Sequence, residues 1–109
     1  MNLNENYKAI LDLDKLLTAE GIPHELIRFL DGWQICYPSK RQKKGDVVQH
    51  CYSYGAGRGH LEAMGFDIRR NDVDGYLTMG DAAGYFRKAW EEDKNDTARK
   101  DVVSRQACS

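Results

Sequence analysis

The dipeptide Asp31-Gly32 separates two runs of alternating apolar character, His24 to Leu30 and Trp33 to Tyr37, and this pattern constrains the fold most. A two-residue turn of type I′ needs positive φ at both central positions. Asp-Gly supplies this at little cost, so the two runs close into an antiparallel hairpin. With Asp31 and Gly32 as the turn, Leu30 faces Trp33, Arg28 faces Ile35 and Leu26 faces Tyr37. Side chains alternate along a strand, so these six share one face, and Ile27, Phe29, Gln34 and Cys36 share the other. One of those faces must be covered.

The cover lies just upstream. Tyr7, Ile10, Leu11, Leu13, Leu16 and Leu17 largely follow the i, i+3, i+4 spacing of one helical face, which predicts a helix from Asn4 to Glu20. Asn4 or Asn6 is its candidate N-cap, Gly21 can turn left-handed past its end, and Pro23 stops it resuming. Beyond the hairpin, Pro38 to Gly45 is a basic loop with Lys40, Arg41, Lys43 and Lys44. A third strand is predicted from Asp46 to Tyr54, and short connections make an antiparallel meander the default. The segment Gly55 to Gly59 then leads to a short predicted helix, His60 to Met64, and to an irregular stretch from Phe66 to Tyr76. A last helix begins at Thr78, where Thr78 and Asp81 make a capping-box-like pair. Its apolar stripe is Ala82, Tyr85, Phe86, Ala89 and Trp90.

The expected architecture is therefore α+β: a helix on a three-stranded antiparallel sheet, a short helix, then an amphipathic helix. Residues 1–92 form one domain in this reading. Residues 93–109 are a charged tail expected to be disordered, with only Val102 and Val103 to anchor it. A chain of 109 residues has a modest core, so a homodimer burying the outer sheet face is one expected assembly. The 16 Lys and Arg against 17 Asp and Glu exclude a histone-like basic protein. No apolar run approaches the roughly 20 residues that span a bilayer. No signal peptide opens the chain, and three unpaired-looking cysteines suit a reducing compartment.

Two segments offer binding chemistry. Glycines let backbone N–H groups approach an anion, and a helix start at His60 would add partial positive charge. Tyr52, Tyr54, Gly55, Gly57, Arg58, Gly59 and His60 thus form a candidate nucleotide cradle, with Arg58 on phosphate and a tyrosine on the base. The run matches neither the P-loop nor the dinucleotide fingerprint, so the signal is weak, and a flexible turn with one solvated arginine is the simpler reading. The basic loop could contact nucleic acid or an acidic protein surface, or simply keep a strand edge soluble. Trp33 and Tyr37 are expected at the surface, where with Lys40, Arg41, Lys43 and Lys44 they would form a protein contact.

Catalysis and metal binding find less support. His50 and Cys51 are neighbours on a strand and point to opposite faces, so they cannot share an ion. Asp72, Asp74 and Gly75 echo a calcium loop without its terminal acids, and no cofactor motif is present. No residue set supplies a nucleophile, a base and an orienting partner together, which argues against an enzyme.

The string Asp31-Gly32-Trp33-Gln34-Ile35-Cys36-Tyr37-Pro38 resembles a segment of small phage and prophage proteins of Gram-positive bacteria. The likeness continues through Val47 to Gly55, Leu61 to Gly65, and Gly75 to Thr78, and covers roughly residues 4–92. This family brings no catalytic residues to carry over. The resemblance implies an accessory protein in the cytoplasm of a bacterial host, one that binds a host component stoichiometrically. A defence protein is the foremost expected partner, as for an anti-CRISPR-like inhibitor. A nucleotide signal sequestered by the Gly55–Gly59 loop is the second expectation, and a nucleic-acid partner the third.

Overall fold

A computed structural model describes residues 7–53, 55, 59–66 and 73–108, with side chains described as far as Asp96. The order is α1 (Lys8–Glu20), β1 (Glu25–Phe29), β2 (Gly32–Tyr37), β3 (Gly45–Gln49), β4 (Leu61–Gly65), β5 (Asp74–Leu77) and α2 (Met79–Cys108). The strands form one antiparallel sheet in the order β1-β2-β3-β4-β5. The α+β class and the meander are as the sequence predicts, but the sheet has five strands instead of three.

Both helices pack on one sheet face. Ile35, Val47 and Ala63 lie opposite one another on β2, β3 and β4, and the core joins them to Ile10, Leu13 and Leu17 of α1. Ala82, Ala83 and Phe86 of α2 complete it. At one end, Tyr37, Phe66, Tyr85 and Phe86 form an aromatic cluster, with the Phe66 ring 5.0 Å from Phe86 and 5.6 Å from Tyr85. Gly45 makes room for it, since a Cβ there would come within 2.5 Å of the Phe66 ring.

The helix ends show how tertiary contacts complete local signals. Gly21 adopts φ 72°, and Ile22 N–H donates to the Leu17 carbonyl, so α1 closes as expected. Its start differs. Tyr7 makes no side-chain cap, and the Ile10 N–H instead donates to Gln49 Oε1 of β3 at 3.1 Å. The Asn4 and Asn6 caps lie outside the described residues. At α2 the predicted box is present: Asp81 N–H donates to Thr78 Oγ1 at 3.1 Å, and Thr78 N–H to Asp81 Oδ2 at 3.4 Å.

Five predictions need correction. The hairpin turn is Leu30-Asp31, with Phe29 opposite Gly32, so Arg28 faces Trp33 and Leu26 faces Ile35. The two-residue slip leaves both face assignments intact. Gly32 is a strand residue because a Cβ there would lie 1.9 Å from the Gln49 carbonyl oxygen. The third strand ends at Gln49, where a turn closed by Ser53 N–H to the His50 carbonyl (3.0 Å) takes over. The predicted helix His60–Met64 is strand β4, which pairs with β3 and buries Leu61 and Ala63. Part of the stretch expected to be irregular is strand β5. Finally, the tail is helical through Cys108, because neither Gly nor Pro interrupts the chain after Gly84.

Candidate functional site

A meander puts alternate connections at the same end. The β1–β2 turn, the β3–β4 connection and the end of β5 therefore share one end, about 19 Å across at the usual strand spacing. Large apolar side chains are exposed there. Leu30 is 60% exposed, Tyr76 59%, Tyr52 80% and Phe29 39%. Val73, the other exposed large hydrophobic among the described residues, precedes β5 at the opposite end.

Two of these side chains sit on costly backbone. Leu30 has φ 54° and Tyr76 φ 56°, and the left-handed region costs a residue with a Cβ roughly 1–2 kcal/mol. Tyr76 belongs to a bulge in which Gly75 and Tyr76 lie between the Leu61–Leu77 and Ala63–Asp74 pairs. Bulges turn side chains away from the regular pleat.

Neighbouring groups hold this end in shape. Asp31 accepts from the Tyr7 hydroxyl and, at 2.8 Å, from Cys51 N–H. The Tyr7 hydrogen bond, followed by the backbone donor of Cys51, holds the Asp31 carboxyl below its ordinary range. His50 Nδ1 accepts Tyr52 N–H at 3.1 Å, and its ring lies 5.1 Å from Phe29 and 6.4 Å from Tyr52. On the β5 side, the His60 and Tyr76 rings meet edge to face at 6.3 Å.

The predicted nucleotide cradle falls partly on this end. Tyr54, Gly57 and Arg58 lie outside the described residues. Gly55 and Gly59 are left-handed at φ 83° and 77°, and His60 is half-buried with Nδ1 unbonded among the described residues. Because β4 follows the loop, the helix N-terminus predicted at His60 is replaced by a strand.

The predicted protein contact is redistributed. Tyr37 is 1% exposed, inside the aromatic cluster, and its hydroxyl donates to Asp93 at 2.5 Å. Trp33 is half-buried against the core, beneath the Arg28 guanidinium at 4.8 Å. Both lie on the face that packs the helices, so their surface assignment is overturned. Lys44 pairs with Asp93 at 2.7 Å, and Lys43 lies 3.7 Å from Asp46. Lys40 and Arg41 remain exposed at the end opposite Leu30. Asp93, expected to begin a disordered tail, is instead part of the folded body.

At that same opposite end, Pro23, Tyr37, Pro38, Trp90, Asp93 and Lys94 line an open groove of about 360 Å³. The sheet face away from the helices carries Gln34, Cys36, Asp46 and Glu62, the last three buried. Gln34 donates to Asp46 at 2.9 Å. Burial first, then the Asp46 charge, pushes the Cys36 thiol up, and desolvation with Asp31 does the same for Cys51. Neither thiol is activated as a nucleophile, which requires the thiolate. Among the described residues no three side chains are grouped to hold a metal ion, and no helix is long and apolar enough to cross a membrane.

No family model, curated protein or solved structure matches the chain.

Proposed function

We propose that this protein acts by stoichiometric binding to another protein, not by catalysis, and that the Leu30 end of the sheet makes the contact. The observation that carries this is the coincidence of two costs at Leu30 and Tyr76, which combine solvent exposure with left-handed backbone. Local strain is tolerated chiefly where it serves a site. Exposed aromatic side chains such as Tyr52 and Tyr76 are the usual anchors of protein contacts. The likeness of the Asp31–Pro38 string to phage and prophage proteins directs the partner to a bacterial host component, in the first place a defence protein. Lys40 and Arg41, at the far end, are the exposed remainder of the basic loop contact and would reach acidic rim residues.

The test compares the parent chain with Leu30→Asn plus Tyr52→Ser, and with Lys40→Glu plus Arg41→Glu, as bait in lysate of a Gram-positive host. A host protein held by the parent in fixed ratio and lost with the first variant supports the reading. A host protein retained by the first and lost with the second moves the contact to the basic loop. No protein held in fixed ratio by the parent counts against the whole proposal.

A second reading has its own observation. The exposed Tyr52 ring stands before the left-handed Gly55 and Gly59, which could present N–H groups to a phosphate. Calorimetry with purine and pyrimidine mononucleotides and dinucleotides tests it, and heats no larger than dilution for all of them would reject it.

A further inference from the structure

The two edges of the sheet are built differently. β5 is short and carries the bulge at Gly75 and Tyr76, which breaks its pairing register. β1 is regular: each of its residues pairs with one of β2, with no bulge and no proline. Bulges and prolines are what keep an edge from taking another strand, and an edge without them is a template.

Hydrogen bonding alternates along an antiparallel pair, and the residues flanking a two-residue turn exchange bonds. Phe29 and Gly32 flank this turn, so Phe29, Ile27 and Glu25 bond to β2. The N–H and C=O groups of Leu26 and Arg28 therefore point away from β2, and among the described residues no backbone group meets them. The Arg28 side chain is open as well. It is exposed, its guanidinium lies 4.8 Å from the Trp33 ring centre, and no carboxylate among the described residues pairs with it. A carboxylate does stand at the start of the same strand, where Asp14 Oδ1 of α1 lies 2.9 Å from His24 Nε2.

We infer that two copies of this chain join edge to edge through β1, antiparallel, about a two-fold axis at Leu26. Leu26 then lies opposite Leu26 of the second copy, and Arg28 opposite its His24. Two features select this register. The outward groups of both Leu26 and Arg28 find backbone partners, and directly opposite side chains stand about 4.5–5.5 Å apart at Cβ, which brings Arg28 to the His24–Asp14 pair of the other copy. The unpaired cation thus gains a carboxylate. A register centred on Ile27 would set Arg28 against Leu26, and one centred on Arg28 would set two guanidinium groups together. Pro23 falls opposite Phe29, at a position whose bonds point away from the seam, so its missing N–H costs nothing. Glu25, the other charge on β1, already accepts the Lys40 N–H at 2.9 Å, and the exposed Lys40 and Arg41 lie beyond it at the rim. Main-chain bonds supply the affinity in strand addition. The contact is isologous and uses up both edges, so assembly stops at the dimer. It is independent of the host-partner reading and is tested with no other protein present.

The test joins sedimentation equilibrium of the purified full chain to amide hydrogen exchange, read by NMR at low and high protein concentration. The parent should reach the dimer mass and stop there. Its Leu26 and Arg28 amides should exchange at least about tenfold more slowly when concentrated than when dilute, whereas the Ile27 amide, bonded to β2, is protected at both. Arg28→Glu sets a like charge against Asp14, and Asp14→Lys sets one against Arg28. Each variant alone should dimerise at least about tenfold more weakly than the parent. Their equal mixture should dimerise, because one contact keeps Arg28 with Asp14 and the other joins the introduced glutamate to the introduced lysine. Circular dichroism checks that both variants fold, and the exchange measurement on the parent needs neither. A parent that stays monomeric overturns the inference and leaves the edge to a strand of a different protein. A dimer whose Leu26 and Arg28 amides exchange alike at every concentration overturns it too, since the contact would lie elsewhere. So does a mixture of folded variants that associates no better than its components.

Discussion

Leu30 and Gly32 show how differently one turn can use two residues. The sequence assigns positive φ to Asp31 and Gly32, whereas the structure gives it to Leu30 and uses Gly32 for close approach to β3. Leu30→Gly should therefore relieve backbone strain. We expect a gain of up to about 1 kcal/mol in urea unfolding, together with weaker partner binding. Lower stability would mean that Leu30 contributes more through packing than its backbone costs. Gly32→Ala should behave oppositely, because its Cβ would lie 1.9 Å from a backbone oxygen that no rotamer can move. A loss above about 2 kcal/mol is expected, and a loss below about 0.5 kcal/mol would contradict the close approach of Gly32 to the Gln49 carbonyl.

Among the elements, those with complete local signals were legible and those completed by distant partners were not. Thr78 and Asp81 sit three apart at the start of an apolar stripe, and α2 begins there. Gly21 and Pro23 mark the end of α1 for the same kind of reason. In contrast, Leu61, Glu62, Ala63 and Met64 are strong helix formers, and only pairing with β3 makes them a strand. Their alternation, Leu61 and Ala63 toward the core, was the available signal. Four residues are too few to separate it from a helical turn. The exposed end was legible only as Tyr52, since neither Leu30 nor Tyr76 is marked by any motif. The cap of α1 was equally hidden, because its acceptor is Gln49, 39 positions from Ile10. Gln49→Leu should leave the buried Ile10 N–H without that acceptor and cost about 1–3 kcal/mol. Thr78→Ala should cost about 1 kcal/mol through the loss of its cap. If thermal unfolding ranks Thr78→Ala as the more damaging, the tertiary cap contributes less than the local one.

At the scale of the whole molecule, three tyrosine–aspartate hydrogen bonds fasten the helices to the sheet. Tyr7, at the start of α1, donates to Asp31 in the β1–β2 turn; Tyr37 of β2 donates to Asp93 of α2; Tyr85 of α2 donates to Asp74 of β5. Each bond needs the phenol proton. Hydrogen bonding to Asp31 raises Tyr7, and hydrogen bonding to Asp74 raises Tyr85, each from an ordinary 10.0 to about 12. Burial, then the bond to Asp93, raises Tyr37 further still. A folded-state pKa above the unfolded value stabilises the fold fully below that unfolded value, and the benefit fades as pH climbs through the folded one. Stability from the Tyr7 and Tyr85 fastenings is therefore intact below pH 10 and lost on the way to about pH 12, while that from Tyr37 persists to higher pH. Removing one should change the slope as well as the height of that curve. Tyr85→Phe should be less stable than the parent by about 1 kcal/mol at neutral pH. It should then lose less on titration, so that the two urea-unfolding curves converge near pH 12. Curves that run parallel across that interval would show that the Tyr85 proton is not what holds α2 to β5.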